Sequence, residues 1–303
     1  MTKPIKDMAA SVRTRLLQKS KEQGKTFDEI MTLYMLERLL YRLSFSQYRE
    51  QFVLKGGLLL CVLFEDMHRT TKDADLLARQ LASQLDIMGD IFRKICSAPY
   101  NDGLTFDSDT LQTVRIKEDA DYEGVRVNVV CHMGQAKKVL QVDIGFGDVV
   151  VPKPQSMKYP TILDMESPEI LAYSIESVIA EKFEAMISLA RMNSRMKDFF
   201  DIYTISRQFD LDGRVVYEAI FETFQHRGTV YEKDAYAFTD EFKTLPEKNL
   251  QWKAYMKRSI HQDLQFEDVM DVVKAFLLPV FESLVKEEEF FGKWSSKQGT
   301  WIH

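Results

Sequence analysis

Apolar positions follow a helical period early in the chain and change to a period of two in its middle. Ile30, Leu33, Tyr34, Leu36, Leu39 and Leu40 fall on one helical face. Just ahead of them, Thr26-Phe27-Asp28-Glu29 has the spacing of a capping box, so the first 45 residues are predicted helical. Phe52-Val53-Leu54 is a short apolar run ended by Lys55-Gly56-Gly57, with Leu58 to Phe64 as a buried helix and Asp73 to Leu77 as a second short strand. Arg79 to Cys96 reads helical. Gln112 to Lys117, Val125 to Val130 and Val139 to Ile144 then alternate, and their Val and Ile content favours strands.

Three prolines, Pro152, Pro154 and Pro160, break regular structure and predict a connector. Ser167-Pro168-Glu169 has the form of a helix start, with Ser167 as cap and proline in the first turn. Helices are expected over Ile170 to Leu189, Met196 to Phe209, Arg214 to Phe224 and Asp263 to Val285. The pattern predicts an α/β (α+β) protein: a helical segment over 1–50, an α/β core with a small mixed sheet over 51–160, and an α-helical domain over 161–303.

Composition narrows the class. The 303 residues are 45% apolar and 28% charged with a net charge of −6, which excludes disordered and fibrous chains. Cys61, Cys96 and Cys131 lie far apart without a C-x-x-C pair, so neither a disulfide framework nor a cysteine-rich zinc site is indicated. His68, His132, His226, His261 and His303 show no H-x-x-x-H or H-E-x-x-H spacing, which leaves zinc hydrolysis without its usual ligands. Met1 to Leu17 lacks the apolar stretch of a secretory signal. The most apolar window, Phe52 to Phe64, is too short to span a bilayer and contains Lys55. A cytoplasmic protein with no membrane association is expected. Residues 1–25 carry Lys3, Lys6, Arg13, Arg15, Lys19, Lys21 and Lys25 against Asp7 and Glu22, a local charge of +5 that leaves −11 for the rest. Such a face is either simply solvated or able to contact phosphates. The tail aromatics Phe290, Phe291, Trp294 and Trp301 either stack on bases or pack in a core, the commoner use.

Three constellations bear on chemistry. Thr70-Thr71-Lys72-Asp73-Ala74-Asp75 places two carboxylates one residue apart on a strand, so both point to the same side. Magnesium binds through one or two carboxylates together with substrate phosphates, and the nearby glycines allow backbone amides to approach phosphate. In the second, Gln141-Val142-Asp143-Ile144-Gly145-Phe146-Gly147-Asp148, Asp143 ends an apolar strand, where a lone carboxylate is costly to bury without a partner or a metal. It is a candidate third ligand. In the third, Ala180-Glu181-Lys182 precedes Lys197-Asp198-Phe199-Phe200-Asp201; Lys182 would supply positive charge to a triphosphate, and Asp198 or Asp201 would fix that lysine or reach metals through water. The alternative readings are turn-fixing aspartates for the second and surface ion pairs for the third.

In this order, Phe52-Val53-Leu54-Lys55-Gly56-Gly57, Arg69-Thr70-Thr71-Lys72-Asp73-Ala74-Asp75-Leu76, Val142-Asp143-Ile144-Gly145-Phe146-Gly147-Asp148, Ile179-Ala180-Glu181-Lys182-Phe183-Glu184-Ala185 and Asn193 to Asp201 resemble the nucleotidyltransferase-like toxins of the AbiEii/AbiGii type, found in bacterial abortive-infection and toxin–antitoxin systems. The resemblance spans about residues 25 to 225. It implies a DNA polymerase beta-like nucleotidyltransferase core with a helical second domain, Mg2+ or Mn2+ as cofactor, and a nucleoside triphosphate as substrate. It implies Asp73 and Asp75 as principal metal ligands with Asp143 as the third carboxylate, and Lys182 and Asp198 as further catalytic residues. Lys55, Gly56, Gly57, Thr71, Lys182, Lys197 and Asp201 would contact the nucleotide. The glycine pair departs from the Gly-Ser of many polymerase-type enzymes, so the turn brings no hydroxyl of its own. The implied activity is transfer of a nucleoside monophosphate to an acceptor hydroxyl, at the 3′ end of an RNA such as transfer RNA or on a partner protein, in a chain paired with an antitoxin. A binding protein that has kept the fold without the chemistry is the other class.

Overall fold

The computed structural model describes residues 7–64, 71–119, 122–231, 233–259 and 264–302, and divides into two compact units. The first comprises Met1–Gly147 and Gln155–Ala172; the second comprises Asp148–Pro154 and Tyr173–His303.

Helices α1 (Met8–Glu22) and α2 (Phe27–Phe45) open the first unit. Thr26 and Glu29 form the predicted reciprocal cap, with the Glu29 amide donating to Thr26 Oγ1 at 3.2 Å and the Thr26 amide donating to Glu29 Oε2 at 2.8 Å. Val12 and Leu16 of α1 are buried, while Arg13 and Lys21 remain exposed. Lys3 and Lys6 lie outside the described residues, as do Arg69, Thr70, His68, His261 and His303. The sheet then forms from β1 (Phe52–Lys55), β2 (Asp73–Ala78), β3 (Thr105–Asp119), β4 (Tyr122–Met133), β5 (Ala136–Phe146), β6 (Gln155–Lys158) and β7 (Glu169–Ala172), in the order β3-β4-β5-β2-β1-β7-β6. It is mixed: β2 runs parallel to β5, and β1 parallel to β7. Helices α3 (Gly56–Leu63) and α4 (Leu85–Cys96) complete the unit. Cys61, Cys96 and Cys131 are buried thiols with no disulfide.

Period-two alternation decides which residues face the core. Ala74 and Leu76 of β2 are buried with Leu140, Val142 and Ile144 of β5, which sends Asp73, Asp75, Gln141 and Asp143 to the opposite face.

Three expectations about element boundaries are corrected. Ser167 does not cap a helix: Glu169–Ala172 is strand β7, and α5 (Ile175–Leu189) starts after Ser174, whose hydroxyl accepts the Ser177 amide at 3.1 Å. Pairing of Val53 with Leu171 on the open side of β1 overrides the local helix signal of Ser-Pro-Glu. The proline connector contains strand β6, which sits at the sheet edge between Pro154 and Pro160, where missing amide donors are tolerated. Helix α4 begins at Leu85 rather than Arg79, because β2 runs to Ala78 and Gln80 takes a left-handed φ of 55°.

The second unit is helical, with α5, α6 (Met196–Gln208), α7 (Gly213–Arg227), α8 (Asp240–Thr244), α9 (Pro246–Ser259) and α10 (Phe266–Val285). A small sheet, unforeseen in the sequence, joins β8 (Leu211–Asp212), β9 (Lys293–Ser295) and β10 (Thr300–Ile302) in the order β10-β9-β8. Its tryptophans belong to the core: Trp294 Nε1 donates to the Ser206 carbonyl at 2.7 Å, Trp301 Nε1 donates to the Phe276 carbonyl at 2.8 Å, and both rings pack on Phe276. Phe290 is buried against Trp301, and Phe291 is exposed. Among the described residues no helix is long and apolar enough to cross a membrane.

The α2 interior carries buried charge. Arg42 binds Asp102 through two hydrogen bonds of 2.6 and 3.1 Å, and Glu37 pairs with Arg38 at 2.8 Å while accepting the Ile162 amide at 2.6 Å. Burial pushes the Glu37 carboxyl up to about 7, against the pull of Arg38. In the unfolded chain it ionises near 4.5, so folding takes up a proton between these values. The stability from this group is therefore full below about 4.5 and lost as pH rises through 7. Urea unfolding at pH 5 and pH 8 tests this: Glu37→Gln is expected to show a fall in stability between the two pH values smaller than wild type by about 2–3 kcal/mol.

Candidate metal centre

Two local structures bring the first unit's acids together. Parallel pairing places Asp75 opposite Asp143 and Asp73 opposite Gln141, and each pair faces the same side of the sheet. One ligand oxygen from each of Asp73, Asp75 and Asp143 lies within 4.8 Å of the other two. The Thr71 hydroxyl donates to Asp73 Oδ1 at 3.0 Å, and the Gly57 amide donates to Asp75 Oδ2 at 3.1 Å.

The glycines are required by space. Gly56 and Gly57 form the first turn of α3, and Gly56 has a φ of 65°. A Cβ at Gly56 would lie 1.9 Å from Asp75 Oδ2, and one at Gly57 would lie 2.5 Å from Thr71 Oγ1. A side chain at Gly56 would push Asp75 out of the cluster, and one at Gly57 would displace the Thr71 hydroxyl that holds Asp73. The amides of a helix start are natural anion donors, and here one of them already holds a carboxylate.

Arg126 is the residue that motif reasoning missed. Antiparallel pairing of β4 with β5 sets it opposite Asp143. Its Nε donates to Asp143 Oδ1 and its Nη2 to Asp143 Oδ2, each at 2.8 Å, while Gln141 Nε2 donates to Oδ2 at 3.2 Å. The hydrogen bonds to Asp143, followed by the charges of Asp143, Asp73 and Asp75, raise the proton affinity of Arg126 against the opposing effect of partial burial. Lys55, itself buried, stands opposite Asp75 on the other flank. One register row across the sheet thus reads Arg126, Asp143, Asp75, Lys55, with cations outside and carboxylates inside. A signal for Arg126 was present in the sequence: a hairpin turning at Gly134-Gln135 pairs residues equidistant from that turn, and Arg126 and Asp143 are such a pair.

A second cluster forms within the helical unit. Lys182 Nζ of α5 lies 2.5 Å from Asp198 Oδ1 and 2.7 Å from Asp201 Oδ2 of α6, and Arg195 Nε lies 2.6 Å from Asp198 Oδ2. Both aspartate side chains are fully buried. Burial alone would raise the Asp198 carboxyl, but the charges of Lys182 and Arg195 outweigh it and hold this group below its ordinary value. Lys197 is exposed and forms no ion pair among the described residues. Asp148, which follows the third-carboxylate strand, pairs with Arg227 at 3.0 Å, and Arg227 also binds Glu184 at 2.8 Å.

Three carboxylates converging on one sheet face, with neither histidine nor cysteine among them, form a hard-oxygen donor set that fits Mg2+ or Mn2+ better than zinc. A mixed sheet bearing such a set beside a glycine-opened helix is a candidate site for a hard divalent cation. Residues 38–274 match the family described as nucleotidyl transferase AbiEii toxin, type IV toxin–antitoxin system, and the chain belongs to that family. Among solved structures it is similar to a nucleotidyltransferase candidate from H. pylori, at 14% identity and a TM-score of 0.48, over 86% of this chain and 98% of that one. It is also similar to JHP933 from Helicobacter pylori, at 12% identity and a TM-score of 0.49, over 86% of this chain and 95% of that one. No curated protein matches the chain.

Proposed function

We propose that this chain transfers a nucleoside monophosphate from a nucleoside triphosphate to an acceptor hydroxyl at the 3′ end of a transfer RNA, and that it is the toxin of a toxin–antitoxin pair active in the cytoplasm. The observation that carries this reading is the convergence of the Asp73, Asp75 and Asp143 ligand atoms within 4.8 Å. Family membership supplies the reaction class.

In the reaction, the acceptor oxygen bonds to the α-phosphorus, the bond from that phosphorus to the bridging oxygen breaks, and pyrophosphate leaves. The hydroxyl proton passes to the Asp143 carboxylate. Asp73, Asp75 and Asp143 would hold Mg2+ or Mn2+, which when bound neutralises phosphate charge and lowers the pKa of an oxygen ligand. Thr71 and the Gly57 amide keep Asp73 and Asp75 in place, and Gly56 leaves room for the Asp75 carboxylate. Lys182, its ammonium fixed by Asp198 and Asp201, is the residue that the family resemblance assigns to the nucleotide in the second unit. The work of the protein is positioning and charge compensation.

The test is incubation of the purified protein with each α-labelled nucleoside triphosphate, Mg2+ or Mn2+, and either total transfer RNA or cell protein. Label is expected on RNA and absent from RNA with Asp75→Ala. Label confined to protein would replace the acceptor, and no label in any combination would overturn the transferase reading.

A further inference from the structure

The triad's carboxylates are held by different kinds of donor. Asp73 accepts from a hydroxyl and Asp75 from an amide, and Asp143 is gripped by a guanidinium. Arg126 is about one-third exposed and Asp143 nearly buried, so their attraction is only partly screened. A two-pronged guanidinium fixes the plane of a carboxylate as well as balancing its charge, which a lysine ammonium cannot do. Each carboxylate oxygen offers about two acceptor directions. On Asp143, Oδ2 takes bonds from Arg126 and Gln141, while Oδ1 takes one from Arg126. The open acceptor direction on the third carboxylate therefore lies on Oδ1.

We infer that Arg126 is a positioning residue with two effects: it turns the open direction of Asp143 Oδ1 towards the face shared with Asp73 and Asp75, and its charge limits how tightly the triad holds a divalent ion. This rests on the reading of the triad as a cation site. Coulomb's law sets the second effect. Removing a unit positive charge a few ångströms from a divalent ion, at the effective dielectric of a partly exposed site, tightens binding by about tenfold or more. The first effect depends on geometry and survives in no variant that lacks the fork. Charge and geometry can therefore be separated by two substitutions at one position.

The experiment measures Mn2+ binding by the electron spin resonance of free Mn2+, on the full chain without nucleotide, for wild type, Arg126→Lys, Arg126→Gln and Asp73→Asn. Transfer is then measured at saturating Mn2+. Arg126→Gln is expected to bind Mn2+ about tenfold more tightly than wild type. Arg126→Lys is expected to bind within about twofold of wild type, because the charge remains. Both are expected to transfer at least about tenfold more slowly despite full occupancy. A purely structural role would instead move affinity and turnover downward together. Arg126→Gln binding Mn2+ no more tightly than wild type overturns the counter-charge, and Arg126→Lys transferring at the wild-type rate overturns the clamp. If wild type binds Mn2+ but labels no acceptor, the proposed function fails and the Mn2+ comparison alone decides the role of Arg126. If wild type binds no more Mn2+ than Asp73→Asn, the inference falls together with the cation site.

Discussion

Asp73→Asn is expected to lower nucleotidyl transfer by at least about a thousandfold, the scale on which preorganised charge stabilisation acts in active sites, while leaving the protein folded. The substitution keeps the side-chain shape and an oxygen that can accept the Thr71 hydroxyl, so the local turn survives. What disappears is one of three negative charges whose ligand oxygens crowd within 4.8 Å. In chelator, that crowding is repulsive and only partly offset by the Arg126 guanidinium and the Lys55 ammonium that flank the row. The variant should therefore be about as stable as wild type or more stable by roughly 1 kcal/mol, the usual direction when a functional charge cluster is relieved. Mn2+ should reverse the order, raising the melting temperature of wild type through preferential binding to the folded state and that of the variant far less. Calorimetry with and without Mn2+, run beside the transfer assay, checks each part. An inactive variant that is also destabilised in chelator would mean that Asp73 is structural.

Asp73 and Asp75 were legible in the sequence because period-two geometry is local: two acids one residue apart on a strand must share a face, whatever the strand pairs with. Asp143 was legible for a different reason, since an acid within an apolar strand demands a partner. What bare spacing could not provide was registry. Pairing of β2 with β5 aligns Asp75 with Asp143 across sixty-eight positions of sequence, and it depends on hydrogen bonds that no local pattern encodes. Arg126 was missed although the hairpin turn pointed to it, because an arginine amid alternating valines reads as an ordinary solvent-facing residue. The expected helix start at Ser167-Pro168-Glu169 satisfies local helix rules, whereas the pairing with β1 that claims Leu171 and Ala172 is a tertiary fact. The small sheet in the second unit escaped for the same reason: Leu211-Asp212 becomes a strand only because Trp294 lies alongside it. Helices α2, α6 and α10, whose signal is periodicity, with a capping box at α2 alone, lie within a few residues of expectation.

Asp198→Ala is expected to cost about 3–5 kcal/mol, the range for breaking a buried ion pair by removing one partner, and to lower the melting temperature by about 10 °C. The side chain has no solvent access and holds Lys182 at 2.5 Å and Arg195 at 2.6 Å. Its loss leaves the Lys182 ammonium in a buried site with Asp201, while the Arg195 guanidinium, being partly exposed, turns to water. The pH dependence separates this role from a catalytic one. A carboxyl held below its ordinary value in the folded state stabilises above its unfolded value, near 3.8, and that stability is lost as pH falls through the lower folded value. Wild type should thus lose stability on acidification below about pH 4 more steeply than Asp198→Ala, so that the gap between the two proteins narrows towards acid. Lys182→Met supplies the complementary measurement. It should also destabilise the fold, since it removes the cation that both buried carboxylates touch. Chemical denaturation of Asp198→Ala, Lys182→Met and the double variant closes a thermodynamic cycle, and a coupling of at least about 1 kcal/mol between the two sites is expected for residues in direct contact. Strictly additive losses would mean that the short contact between Lys182 and Asp198 contributes nothing to folding, and Lys182 would then be held in place by Asp201.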